Sequence, residues 1–148
     1  MEHKLNVLAR IARQLNAHGI TWAVGASSML YLNGIVDSFH DLDLLVEEAR
    51  IAEAKALLDE MGTLQERIPN PQYKTRHFLE YVIEDVEVDV LAGFIICKDG
   101  TDHDMPFDRT HIERTVTVCG EPIPLQHRSD WAHYYTLMGR PHKAELCK

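Results

Sequence analysis

The sequence predicts an α/β fold of the α+β kind, with helices packed over one mixed, twisted β-sheet. Three observations predict it. Helical periods alternate with short β-prone runs across residues 3 to 61, two further β-prone runs have only Glu84 and Asp85 between them, and helical period returns from Ser129. At 148 residues the chain matches one domain, expected to span 1–148, with a core over about 20–125 and C-terminal helices over 128–148.

The elements follow in order. Leu5, Leu8, Ile11, Ala12 and Leu15 recur at three- and four-residue steps before Gly19, so residues 3 to 18 read as an amphipathic helix with a glycine C-terminal cap. Thr21 to Val24 reads as a strand ending at Gly25, followed by a short helix from Ser27 to Leu32 that Asn33-Gly34 closes. Asp41 to Val46 begins with strict alternation and ends apolar, as a strand with one buried face does. Residues 49 to 61 return to helical period through Ile51, Ala54, Leu57, Leu58 and Met61, and Gly62 ends them. Lys74 to Ile83 and Val86 to Leu91 form a hairpin across Glu84-Asp85. Residues 93 to 97 and 112 to 118 add two more strands, with Lys98 to Asp104 read as an acidic loop between them. Ser129-Asp130 is the expected N-cap of a helix through Met138, and Pro141 starts a last one.

Composition narrows the function. Fifteen basic against 23 acidic residues give a net charge of −8, which repels a phosphate backbone and argues against nucleic acid as partner. Hydrophobic residues at 45% and charged residues at 26% fit a globular domain that needs no staple. Cys97, Cys119 and Cys147 are odd in number and lack ligand-like spacing, so free thiols in a reducing cytoplasm are expected. The charged N-terminus carries no leader-like apolar run, and no membrane-spanning run occurs elsewhere, so neither export nor a membrane partner is expected.

The chemistry concentrates in two carboxylate pairs and a glycine turn. Asp41 and Asp43 stand two apart, so they leave one face of a strand while Leu42 and Leu44 enter the core; Glu87 and Asp89 repeat the pattern among Val86, Val88 and Val90. If the two strands are neighbours, their carboxylates converge, at a cost that a divalent cation offsets. Hard oxygen donors, with no cysteine or histidine suitably placed, select Mg²⁺. A single D-x-D is equally what the solvated face of a half-buried strand looks like. Gly25, Ala26, Ser27 and Ser28 lie where a strand passes into a helix, so backbone N–H groups and two hydroxyls can hold phosphate, although a serine-capped glycine turn has the same sequence.

These segments resemble the DNA polymerase beta-like nucleotidyltransferase superfamily in its small prokaryotic form, similar to abortive-infection-type and antibiotic nucleotidyltransferases. Trp22 to Ser27 resembles the family's apolar strand and glycine turn, Asp41 to Val46 its acid-x-acid strand, and Val86 to Leu91 the strand with the third acid. Gly139-Arg140-Pro141-His142-Lys143 resembles the closing helices. Two departures stand out: Ala26 replaces a second glycine or serine, and Asp37 to His40 lacks the basic residue many relatives carry there.

The resemblance implies a nucleotidyltransferase-like fold and a Mg²⁺-dependent transfer of a nucleoside monophosphate from a nucleoside triphosphate to a hydroxyl of a small molecule or protein. Asp41, Asp43 and Asp89 would be both catalytic residues and ligands of two Mg²⁺ ions, with Asp89 also taking the hydroxyl proton. Gly25, Ala26, Ser27, Ser28, Arg140 and Lys143 would bind the nucleotide phosphates; Lys74 and Arg76 are weaker candidates. A catalytically degenerate version that binds nucleotide or a partner protein, as in some toxin–antitoxin pairs, is the alternative, and a metal-dependent phosphodiesterase is a third reading. Glu87 and His40 are expected to sit outside the reacting set, and His103 in a solvated acidic loop. Trp131, Tyr134, Tyr135 and Met138 share a helix face and are expected to pack on the sheet. So short a chain leaves the acceptor an open cleft beside the aspartates or a surface completed by a second subunit in a homodimer.

Overall fold

The computed structural model describes all 148 residues. The first helix, α1 (Glu2–Ala17), buries Val7, Leu8, Ile11, Ala12 and Leu15, and the chain reverses at Gly19 with φ +67°. Strand β1 (Trp22–Gly25) runs directly into α2 (Ala26–Leu32), and β2 (Leu42–Val46) returns antiparallel to β1. A single 3₁₀ turn (Glu48–Arg50) precedes α3 (Ile51–Asp59), so the helix expected over 49–61 is split at its start and stops before Gly62. After the two-residue strand β3 (Thr63–Leu64) come the hairpin strands β4 (His77–Ile83) and β5 (Val86–Ala92). The ribbon β6 (Phe94–Lys98) and β7 (Thr101–Met105) leads to β8 (Ile112–Val118) and β9 (Glu121–Gln126), then α4 (Arg128–Leu137) and α5 (Pro141–Leu146).

Seven strands form one mixed sheet in the order β3-β4-β5-β2-β1-β9-β8, and β6 and β7 form a separate two-stranded sheet. The fold class is therefore as the sequence predicts. Leu42, Leu44, Val88 and Val90 are fully buried, while Asp43 and Asp89 leave the opposite face, as a two-residue period requires. Helices α1 and α3 pack together along the apolar side, and the Tyr81 hydroxyl donates to Asp59 at 2.7 Å, tying β4 to α3. Gly62 ends this layer by close approach: a Cβ there would meet the Val82 carbonyl oxygen and lie 2.5 Å from Ile83 Cγ1.

Three sequence expectations need correction. The acidic segment 98–104 is no loop: Asp99-Gly100 takes positive φ at both residues, the geometry of a tight hairpin turn, and Thr101 to Met105 pairs with β6. Strand β9 escaped detection because Pro122 and Pro124 argue against a strand. Alternate prolines remove donors from one side only, and β9 has a full ladder with β8 but a single pair, Val24↔Leu125, with β1. Helix α4 starts at Arg128 with His127 as its N-cap and no side-chain bond there, so the expected cap residues Ser129 and Asp130 lie inside its first turn. Asp41 sits one residue before β2, and Lys74 to Arg76 precede β4.

The β4–β5 turn yields a stability test. Glu84 and Asp85 hold φ of +47° and +67°, a left-handed pair that ordinarily calls for Asn-Gly. Asp85→Gly should stabilise the protein by about 0.5–1 kcal/mol. Thermal unfolding should show this as a rise of about 2–4 °C in Tm, and an unchanged or lower Tm would contradict the strain assigned to the turn.

Candidate active site

The sheet register assembles one row of residues across four strands. Gly25 of β1 faces Asp43 of β2, Asp43 faces Asp89 of β5, and Asp89 faces Glu80 of β4. Directly opposed residues share a face, so Asp43, Asp89 and Glu80 crowd together beside the glycine turn. Leu42 faces Val88, which brings Asp41 to the level of Glu87, and the two carboxyl groups come within 4.8 Å of each other. His40 joins them, with Nε2 2.6 Å from Glu87 and 3.3 Å from Asp41. A histidine does therefore approach the carboxylates, contrary to the sequence expectation; the apposition of two strands distant in sequence puts it there.

Electrostatics at this row are unfavourable to charge. Burial and then the neighbouring charges of Asp89 and Asp41 hold the Asp43 carboxyl well above the ordinary range, with Lys143 opposing. Asp89 is pushed up to about 7, first by burial and then by Asp41, Glu80 and Glu87. Asp41 is raised by burial and by the Glu87 carboxyl beside it, and Glu87 is lowered by its proximity to Asp41 and by His40. Asp41 Oδ1 is shut off from solvent and makes no hydrogen bond, with His40 Nε2 the nitrogen beside it at 3.3 Å. Such a set lacks positive charge, and a divalent cation supplies it in the form carboxylate oxygens bind.

The glycine turn divides its work. Gly25 is extended, with φ −126°, and is needed for space: a Cβ there would collide with Trp131 Nε1 and lie 2.6 Å from Cε2 and Cζ2 of the same ring. Ala26 carries φ +53°, in the left-handed region that a Cβ disfavours, so its backbone is strained. Ala26 and Ser27 line the cleft at the uncapped start of α2. Ser28, expected to offer its hydroxyl to phosphate, faces inward instead: fully buried, it donates to the Gly25 carbonyl at 2.9 Å and accepts from the Asp43 N–H at 3.2 Å. It thereby fixes the turn to the aspartate strand.

The cleft over the row has a volume of about 440 Å³, within the size range of small-molecule sites. Arg140 and Lys143 line it together with the carboxylates, and Lys143 Nζ lies 5.5 Å above the Tyr135 ring. Lys74 and Arg76 are elsewhere, paired with Asp102 and with Glu48 and Asp104. Sequence reasoning missed Arg67, Tyr73, Phe78, Glu80 and Phe94 in the lining. Glu80 had a signal, a lone acid in the apolar run Phe78 to Val82; Arg67 and Tyr73 come from a segment with no periodicity. Of the helix face expected to pack on the sheet, Trp131, Tyr135 and Met138 also reach the cleft.

No protein-family model matches the sequence, and no curated protein matches it. Solved structures do. A Thermotoga maritima protein described as a candidate nucleotidyltransferase superposes with a TM-score of 0.78 at 27% identity, over 97% of this chain and 89% of that one. The fold is that of the nucleotidyltransferase superfamily. ANT(2'')-Ia, solved with adenylyl-2''-tobramycin, shares this nucleotidyltransferase fold with a TM-score of 0.65 at 12% identity, over 98% of this chain and 87% of that one. The lincosamide antibiotic adenylyltransferase LnuA, solved with lincomycin, gives a TM-score of 0.62 at 11% identity, over 95% and 96%. No helix is long and apolar enough to cross a membrane.

The raised carboxyls of this nucleotidyltransferase fold set a pH dependence. A carboxyl whose folded pKa lies above its unfolded value binds more protons in the native state, so its stability contribution is present below about pH 4 and lost as pH rises through the folded value, about 7 for Asp89. Without added metal, Asp89→Asn should raise Tm at pH 8 by several degrees, with the gain vanishing near pH 4. An equal gain at both pH values would show that charge burial is not its cause.

Proposed function

We propose that the chain is a nucleotidyltransferase that moves a nucleoside monophosphate from a nucleoside triphosphate to a hydroxyl of a small molecule or protein. The observation that carries the reading is the row Gly25–Asp43–Asp89, with Asp41 beside it, in one cleft that Arg140 and Lys143 also line. The donors fit Mg²⁺: carboxylate oxygens dominate, one of them buried without a hydrogen bond, and they cluster where charge is otherwise unfavourable. Asp41 and Asp43 would hold two Mg²⁺ ions, with Asp89 sharing one. Bound there, Mg²⁺ would lower the pKa of the acceptor hydroxyl and offset charge on the phosphates.

The chain's own groups supply the rest. Arg140 and Lys143 grip the triphosphate, and the backbone at Ala26 and Ser27 receives its oxygens at the start of α2. Tyr73, Phe94, Trp131 and Tyr135 give the cleft an aromatic wall that keeps bulk water from competing with the acceptor. Asp89, opposite Asp43 in the same row, accepts the hydroxyl proton. A bond forms between the acceptor oxygen and the α-phosphorus, the bond from that phosphorus to the bridging oxygen breaks, and pyrophosphate leaves.

The test is a screen of the four common nucleoside triphosphates with Mg²⁺, reading thermal shift and pyrophosphate release with added hydroxyl acceptors. Asp41→Asn and Asp43→Asn should each lower turnover by roughly 100-fold or more while the fold persists. Turnover in Asp43→Asn at the wild-type level would sink the assignment of the site, and pyrophosphate release indifferent to any acceptor would count against transfer.

A further inference from the structure

A chain of buried polar groups reaches the glycine turn from behind. Gln126, the last residue of β9, is fully buried and uses both ends of its amide. Its Oε1 accepts the Trp131 indole N–H at 2.9 Å, and its Nε2 donates to the Tyr134 hydroxyl and to Asp130 Oδ2, each at 3.1 Å. Asp130 Oδ2 also meets His111 Nδ1 at 2.7 Å, which brings the chain to the partly exposed end of β9 and α4. At the other end the Trp131 ring lies against Gly25, so closely that no side chain fits between them. Leu125, next to Gln126, pairs with Val24, next to Gly25, so the amide and the turn are held to the same strands.

We infer that Gln126 is a positioning residue for the triphosphate: braced by Asp130 and His111, it fixes the Trp131 ring, and the ring fixes the Gly25–Ala26–Ser27 backbone in the conformation that receives phosphate oxygens. This rests on the nucleotide reading of the cleft. An indole needs one acceptor and could rotate about χ2 if none were present; the Gln126 oxygen removes that freedom, and its amide in turn is oriented by two acceptors. Ala26, strained at φ +53°, has to be held by its surroundings, and the Trp131 ring is the group packed against the residue before it. A turn held this way keeps phosphate-binding groups in place before nucleotide arrives, which lowers the ordering cost of binding.

Two measurements test the role, one of them without nucleotide. Gln126→Met keeps the volume and loses all three bonds. Amide hydrogen exchange of the ligand-free protein should then speed up at residues 25–28 by about tenfold or more while α1 and α3 stay protected. With a triphosphate and Mg²⁺, titration calorimetry should show affinity falling by roughly tenfold, and in a Trp131→Phe background, where the indole N–H is gone, Gln126→Met should cost little more. Asp130→Asn and His111→Ala, at the outer end, should give smaller changes of the same pattern and serve if Gln126→Met does not fold. Exchange that rises uniformly, or a folded variant whose exchange at 25–28 matches wild type, overturns the inference. Wild-type protein that binds no triphosphate overturns the nucleotide reading instead, and the exchange result then still decides whether Gln126 holds the turn.

Discussion

Everything at the cleft depends on carboxylates being kept together against their mutual repulsion. Asp43 and Asp89 face each other because β2 and β5 run parallel and in register at the centre of the sheet, and neither strand can slip without turning its leucines and valines out of the core. The apolar face therefore supplies the force that holds the acidic face in place. Leu42, Leu44, Val88 and Val90 are fully buried, and each removes roughly 1.5–3 kcal/mol of apolar exposure, enough jointly to outweigh the crowding of like charge. A site that is unfavourable for itself is what a cation-dependent centre needs, since the unmet demand becomes binding energy for the cation.

The roof of the cleft follows from the same economy of contacts. Helix α4 has no side-chain cap and a weakly amphipathic sequence, yet its Trp131, Tyr134 and Tyr135 are buried. They are held by an aromatic cluster: Phe94 of β6 lies 6.2 Å from Trp131 and 5.2 Å from Tyr134, centroid to centroid, and Tyr73 stacks on Phe94 at 6.3 Å. The ribbon β6–β7 is thus the prop that lets α4 reach Gly25. Its Asp99-Gly100 turn and its charged outer strand, both far from the cleft, matter because they hold Phe94 in position.

How much of this could be read from the chain alone depended on whether the information was local. The strands around Asp41–Val46 and Val86–Leu91 were legible because alternation records burial residue by residue, and α1 was legible because five apolar residues share one face. The pairing of β2 with β5 was conditional, since nothing in either strand names its neighbour. Ser28 read as a phosphate donor because N-cap chemistry is local, whereas its inward hydroxyl is dictated by where β2 happens to lie. Strand β9 was hidden by two prolines whose cost vanishes only once its neighbours are known, and His40, exposed and next to a catalytic candidate, gave no sign of Glu87. Glu80 is a milder case: the alternation placed it on a face, and only the β4–β5 register placed it beside Asp89.

The overall charge of −8 takes on a direction once the cleft is known. Carboxylates lie on the strands, and Arg140 and Lys143 on the segment where α5 begins, so a charge gradient runs across the opening rather than a uniform field. On the proposed reading a triphosphate has one electrostatically acceptable orientation, with its anionic tail toward α5 and the α-phosphorus toward the cations held by the strands. Glu80, Phe78 and Arg67 line the cleft as well and are left free by that orientation for an acceptor. Arg67 lies over the Phe78 ring with its guanidinium donating to the Thr75 carbonyl, so that side is bounded by a cation already anchored and an acid, Glu80, with no ion-pair partner. A long polyanion would meet the acidic strands along its whole length, whereas a compact acceptor meets only this one mixed edge. On the proposed reading, the geometry that would orient the nucleotide would also limit the size and charge of its partner.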